Sequence, residues 1–168
     1  MMEFVYAYAY FILYAFLGWV CEDLYCGIPT KKFINRGFFY GPYCPIYGVG
    51  ALLVLYPLLF VKDYPILVFV LGVIITSALE YITSWVMEIL FKTRWWDYSE
   101  RFMNINGRVC LLNSTLFGIM SIVVVYIIHP VIQDIVMDIP FTALMSFLSA
   151  FTIGFGIDCV FTVLALLR

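Results

Sequence analysis

Acidic side chains interrupt two of the most apolar stretches of this 168-residue sequence. Glu80 lies in a run from about residue 65 to 89, and Asp158 lies in a run from about 141 to 167. An ionised carboxylate in lipid costs several kcal/mol, so each group must be paired, protonated or hydrated. Carboxylates deep in a membrane are typical of sites for cations, protons or paired arginines. Both side chains are therefore candidates for ligand binding.

The helical spacing around Glu80 strengthens this interpretation. One face of the helix carries four polar residues at steps of three and four: Ser77, Glu80, Ser84 and Glu88. At a rise of 1.5 Å per residue, Glu80 and Asp158 each lie roughly 13–14 Å from the predicted inner boundary of their helices. The two carboxyl groups are therefore expected at matched depth, near the middle of the membrane.

The arginines lie in the connections between apolar runs or at the C-terminus. Between residues 94 and 108 they are interleaved with Trp95, Trp96, Asp97, Tyr98, Asn104 and Asn106. An arginine fork suits phosphate or carboxylate, so arginines at the mouth of a polar cavity would complement carboxylates at its floor. The predicted ligand-binding residues are Glu22, Arg36, Glu80, Trp96, Asp97, Tyr98, Asn104, Arg108 and Asp158. Two alternatives stay open: the arginines only neutralise the buried carboxylates, and the tryptophans only form an interfacial aromatic belt.

The elements that would position these residues are membrane helices. The sequence is 65% hydrophobic and 12% charged, whereas soluble domains are about half apolar and a quarter charged, so a water-soluble enzyme is excluded. Five apolar runs approach the roughly 20 residues of a spanning helix. They cover about residues 4–21, 46–61, 65–89, 111–128 and 141–167, in a single transmembrane domain of residues 1–168. The predicted fold is an all-α polytopic membrane helix bundle of about five transmembrane helices.

The start of the second helix is predicted to be irregular. Residues 38–50 contain two prolines and three glycines, and both residue types weaken or break a helix. Irregular backbone at membrane depth requires protein or water to satisfy its polar groups. A re-entrant segment and a compact interfacial turn are both compatible with this Gly/Pro-rich start.

The basic residues predict the orientation of the chain. One side of the membrane would carry Lys31, Lys32, Arg36, Lys92, Arg94, Arg101, Arg108 and Arg168, and the other would carry Lys62 alone. Basic residues in short loops accumulate on the cytoplasmic side. The sequence therefore predicts a multi-pass protein with its N-terminus outside and its C-terminus in the cytoplasm.

Several function classes receive no support from the sequence. A net charge of −2 without a basic tail makes nucleic acid an improbable partner. A single His, with five Cys at spacings unlike those of zinc sites, predicts neither a metal site nor a cofactor. The phosphate-binding loop of ATPases and the common hydrolase motifs are absent. An enzyme is the less favoured interpretation, and no catalytic residue is assigned.

Several motifs together resemble the putative ABC-transporter type IV family (CmpB-type), a group of small bacterial integral membrane proteins. The segments that carry the resemblance are Gly18-Trp19 with Glu22, Asn35-Arg36-Gly37-Phe38, Gly41-Pro42, Pro45-Ile46-Tyr47-Gly48, Glu80 with Thr83-Ser84, Arg94-Trp95-Trp96-Asp97-Tyr98-Ser99, Asn104, Gly107-Arg108 and Gly118. They cover roughly residues 11–118, so Asp158 is predicted from the bottom-up argument alone. The resemblance implies transport across a bacterial inner membrane, with a separate ATPase subunit if ATP drives it.

The leading hypothesis is a permease-like protein of the lipid bilayer that binds a small polar or anionic solute in a cytoplasm-facing polar cavity. A transport path through so small a chain would require a homodimer or a partner subunit. One alternative is a membrane enzyme or binder of phosphorylated lipid head groups. Another is a structural or assembly subunit without a ligand, in which the ion pairs serve packing.

Overall fold

The computed structural model describes residues 2–30 and 38–166, with the side chains of residues 25–30 excepted. In these ranges the regular secondary structure is helical, and the loop before α4 contains a single antiparallel bridge between Ile105 and Val109. The helices are α1 (Met2–Thr30), α2 (Pro45–Leu58), α3 (Pro65–Phe91), α4 (Leu111–Val123), α5 (His129–Asp138) and α6 (Phe141–Leu166). The prediction of an all-α membrane helix bundle is confirmed.

Four stretches are long and apolar enough to cross a membrane. They are Met2–Leu24, Pro65–Phe91, Leu111–Asp138 and Phe141–Leu166. The shorter apolar stretch Pro45–Val61 corresponds to the second predicted helix. At 1.5 Å per residue it extends about 25 Å, less than the roughly 30 Å of a hydrocarbon core.

Prolines set the limits of α2. Residues 38–44 are not helical, and the helix begins at Pro45, a position where the missing N–H of proline has no helical acceptor to lose. Pro57 lies near the other end, and the chain then tightens into a 3₁₀ turn at Leu59–Val61. The predicted irregular Gly/Pro-rich start of this helix is confirmed.

The fourth span continues past its predicted boundary near residue 128. A π-helical turn at Val124–Ile128 connects α4 to α5, and the His129 N–H donates to the Val124 carbonyl. The next residue, Pro130, has no N–H and would clash with the carbonyl one turn back in a regular helix. The wider π turn opens the hydrogen-bond pattern at this point, so the helical path continues to Asp138.

Packing divides the chain into two compact units. The first unit comprises Met1–Val49 and Ile132–Arg168, and the second comprises Gly50–Val131. The first therefore holds α1, the start of α2 and α6, whereas the second holds the rest of α2, α3 and α4.

Glycines bring α1 and the start of α2 together in the first unit. Gly18 lies directly against the Tyr47 side chain. A Cβ atom on Gly48 would come within 2.6 Å of the Phe11 carbonyl oxygen. Small residues of this kind allow helix backbones to approach closely in membranes.

Small residues also line the contact between α3 and α4 in the second unit. A Cβ atom on Gly72 would come within 2.5 Å of Ser121 Oγ, and one on Gly118 would come within 2.5 Å of Val73 Cγ2. The two helices therefore pack with little space between them, which fixes the position of the loop that joins them.

Enlarging Gly118 should separate α3 from α4. We expect Gly118→Leu to lower the free energy of unfolding by about 1–3 kcal/mol, the usual cost of overpacking. The matched control is Gly154→Leu on α6, where a Cβ atom would meet nothing within 4 Å. Thermal unfolding in detergent measures the stability of both purified variants. Equal stability of Gly118→Leu and Gly154→Leu would contradict the packing of α3 against α4.

Candidate functional site

The loop between α3 and α4, residues 92–110, is held by hydrogen bonds from its own side chains. Asp97 Oδ1 accepts the backbone N–H of Ser99 at 2.9 Å and the Ser99 hydroxyl at 2.6 Å. The Asn104 amide donates to the Ser99 carbonyl and accepts the Gly107 N–H, both at 3.0 Å. These local bonds satisfy backbone groups outside the helices.

Gly107 and Trp96 close this loop. Gly107 has a φ of +68°, and a Cβ atom there would come within 2.5 Å of Asp97 Oδ1, so glycine is required. The Trp96 indole N–H donates to the Arg108 carbonyl at 2.9 Å, and the Tyr98 N–H donates to the Gly107 carbonyl at 2.7 Å. The closed loop directs the side chains of Tyr98 and Arg108 toward α3.

Tyr98 and Arg108 bond to polar side chains on α3. The Tyr98 hydroxyl donates to Glu80 Oε1 at 3.0 Å. Arg108 Nη1 donates to the Ser84 hydroxyl at 3.2 Å, and Arg108 Nη2 lies 2.6 Å from Glu88 Oε2. Glu80, Ser84 and Arg108 each expose 8% or less of their surface. These five residues (Glu80, Ser84, Glu88, Tyr98 and Arg108) are named here the α3–loop cluster.

Glu88 joins two arginines. Its Oε1 lies 3.0 Å from Arg94 Nε, while its Oε2 pairs with Arg108. The hydrogen bond that Arg94 donates to Glu88 raises the pKa of Arg94 above its usual range. Solvent screens the Arg94 pair, because about a third of each side chain is exposed. The Arg108 guanidinium is better shielded, and its Cζ lies 5.6 Å from the centre of the Tyr81 ring, within cation–π range.

A family described as "Putative ABC-transporter type IV" matches residues 9–163 of the chain. The chain belongs to this family. The resemblance read from the sequence motifs is thereby confirmed. Comparisons with curated proteins and with solved structures gave no match. Family membership and the four apolar spans make this a multi-pass membrane protein related to transport.

Three of the predicted ligand-binding residues form hydrogen bonds within the loop. Trp96 holds the Arg108 carbonyl, Asp97 holds Ser99, and Asn104 bridges two parts of the loop backbone. In the structure they act as positioning residues for the α3–loop cluster, which contains three other predicted residues, Glu80, Tyr98 and Arg108.

Asp158, another predicted residue, lies in the first unit and binds the segment before α2. Its carboxylate accepts the N–H of Tyr40 at 3.2 Å, the N–H of Gly41 at 2.8 Å and the Thr162 hydroxyl at 3.0 Å. The Tyr43 hydroxyl donates to the same carboxylate. Burial, followed by this hydrogen bond, raises the pKa of Tyr43 above its usual range. Asp158 thus anchors the irregular segment of the type IV protein to α6.

Glu22 also lies in the first unit, where its Oε2 accepts the Tyr47 hydroxyl. The ninth predicted residue, Arg36, lies outside the described residues, as do the topology markers Lys31, Lys32 and Arg168. The predicted set is therefore distributed among the α3–loop cluster, its supporting loop and the first unit.

The sequence prediction omitted three residues that take part in these contacts: Ser84, Glu88 and Tyr43. The helical spacing already places Ser84 and Glu88 on the same face as Glu80, although the predicted ligand-binding set does not include them. Tyr43 offers no such signal, because its partner Asp158 is 115 positions away in the sequence.

Removing the Tyr98 hydroxyl should weaken the second unit. We expect Tyr98→Phe to lower the free energy of unfolding by about 1–3 kcal/mol, because it removes a hydrogen bond to the largely buried Glu80. Tyr64→Phe, at a tyrosine that is 67% exposed in the same unit, should change it by less than about 0.5 kcal/mol. Thermal unfolding in detergent provides the measurement, and a Tyr98→Phe variant as stable as the control would be inconsistent with the contact.

Asp97 should make the loop sensitive to acid. The hydrogen bonds from the Ser99 side chain and backbone hold the pKa of Asp97 below its usual range. A lowered pKa contributes stability that is present above the ordinary Asp pKa of about 3.9 and is lost as pH falls through the lowered value. We expect Ser99→Ala to raise the pKa of Asp97, so that the loss begins at higher pH.

The chemical shift of the backbone amide at position 99, followed against pH by NMR, reports the ionisation of Asp97. Thr93→Val is the control, since Thr93 donates to the Phe91 carbonyl instead, and it should leave the titration unchanged. A titration of Asp97 that Ser99→Ala does not move would refute the assigned cause.

Proposed function

We propose that the protein is a permease-like membrane component that binds a small polar or anionic solute at the α3–loop cluster. The observation that supports this is a buried donor: Arg108 Nε is buried and, in the part of the chain that the structure describes, has no acceptor. Native proteins seldom leave such a donor unsatisfied. A carboxylate, phosphate or carbonyl oxygen of a solute would accept its proton, because guanidinium groups bind these oxygens well.

The charges around this donor favour a particular class of solute. The cluster contains Glu80, Glu88 and Arg108, and Arg94 adjoins it through Glu88. The formal charges of these four side chains cancel, so a polyanion would meet two carboxylates and be repelled. A neutral polar or singly anionic solute suits the arrangement better.

The proposed setting follows from the distribution of basic residues. The protein would be a single membrane domain of a bacterial inner membrane, with its N-terminus outside and its C-terminus cytoplasmic, because eight of its nine basic residues would then face the cytoplasm. In this orientation the loop of residues 92–110 meets solute from the cytoplasm. A second copy or a partner subunit would complete a transport path, and an ATPase subunit would be separate.

A phosphorylated lipid head group is the second candidate ligand. The observation that favours it is the partly exposed Arg94 beside Glu88, adjacent in sequence to Trp95 and Trp96. Tryptophan and arginine at a membrane interface suit the level of lipid phosphates.

Arg108→Lys tests the solute site. Lysine keeps the positive charge but loses the Nε donor and the planar fork. We expect its affinity for the solute to fall at least about tenfold, equivalent to ~1.4 kcal/mol. The probes are glycine, acetate and inorganic phosphate, titrated calorimetrically into the purified protein in detergent.

Arg101→Lys is the matched control, because Arg101 is an exposed arginine of the same loop, and it should bind the probes as the wild type does. Native mass spectrometry tests the second candidate, a phosphorylated lipid. An anionic lipid that co-purifies with the wild type but not with Arg94→Lys would favour lipid head-group binding. If nothing binds or co-purifies, or if Arg108→Lys binds like the wild type, the proposal fails and the cluster serves packing alone.

A further inference from the structure

Asp23 is a buried carboxylate on α1 that lacks a hydrogen-bond donor. The residue is 8% exposed, and neither of its carboxylate oxygens accepts a hydrogen bond from the described residues. Buried polar oxygens nearly always have a partner, and buried charges are paired. The neighbouring Glu22 meets this requirement at least in part, because its Oε2 accepts the Tyr47 hydroxyl. Asp23 is therefore an exception that needs an explanation.

Among the described residues, Cys44 lies close enough to Asp23 to feel its negative charge, and it supplies no positive charge. Burial, followed by the negative charge of Glu22 and then that of Asp23, raises the pKa of the Cys44 thiol to about 12, so this thiol stays neutral. The Ile46 N–H at the start of α2 donates to Cys44 rather than to a carboxylate. Within the described residues, the first turn of α2 thus donates no hydrogen bond to Asp23.

We propose that Asp23 binds a monovalent cation, either an alkali-metal ion or the ammonium group of an amine, where α1 meets the start of α2. Carboxylate oxygens are the ligands that hard cations take, and an ammonium group has three N–H donors for them. A single positive charge would balance the Asp23 carboxylate, which has no hydrogen-bond partner among the described residues.

This cation site goes beyond the solute site proposed above. It lies in the first unit and uses no residue of the α3–loop cluster. Carboxylates within spanning helices commonly mark the paths of ions. A cation bound here would give a transport-related protein a second ligand, independent of the one that Arg108 binds.

The test is the cation dependence of thermal stability in detergent at constant ionic strength. Chloride salts of potassium, sodium and methylammonium are compared with that of N-methyl-D-glucamine, a cation too large for a buried site. We expect the melting temperature of the wild type to rise with the concentration of a small cation, because ligand binding stabilises the folded state. A response to potassium or sodium identifies an alkali-metal site, and a response to methylammonium alone identifies an amine site.

Asp23→Asn should abolish this response and still fold, since it removes an unpaired buried charge. Asp23→Glu keeps a carboxylate and should respond with about tenfold weaker affinity. Glu3→Gln, at an exposed carboxylate on the same helix, and Arg101→Lys, at an exposed arginine of the second unit, should both respond like the wild type. A wild type indifferent to every small cation, or an Asp23→Asn variant that still responds, would overturn the inference.

Discussion

The ion pair between Arg108 and Glu88 is the interaction on which the second unit depends. An arginine in an apolar setting is costly unless its charge is balanced, and Glu88 balances it at 2.6 Å. The backbone of the same residue closes the loop, because the Arg108 carbonyl accepts the Trp96 indole N–H. The start of α4 is thereby placed beside α3, where the Ser77 hydroxyl donates to the Ser114 hydroxyl at 2.7 Å.

The residues that carry the family resemblance perform two different tasks. Trp96, Asp97 and Asn104 determine the shape of the loop through bonds that stay within it. Glu80 and Arg108 are buried and bring charge to the contact between loop and helix. A sequence motif can thus identify a family although most of its residues only maintain the shape of a loop. The chemistry of the site belongs to the few side chains that the loop presents.

The helices could be predicted from the sequence, because long apolar runs have few stable solutions in lipid. The shared face of Glu80 and Glu88 was also readable from their spacing. The particular pairing of Arg108 with Glu88 was not, because Arg108 reaches Glu88 only through a loop that turns at Gly107, in a left-handed conformation. The continuation of the fourth span was missed for a similar reason: Pro130 reads as a helix end, and the π turn that accommodates it depends on hydrogen bonding beyond the sequence pattern.

The binding of Asp158 to residues 40–43 imposes an order of events during biosynthesis. The ribosome delivers Tyr43 first, and Asp158 follows only 115 positions later. Throughout that interval the amide groups of Tyr40 and Gly41 lack their final acceptor, and water must solvate them, because a bare amide is costly in hydrocarbon. This segment can reach its mature position only after the last helix has been inserted. In the first unit, residues 40–43 are therefore synthesised early but reach their final contacts late.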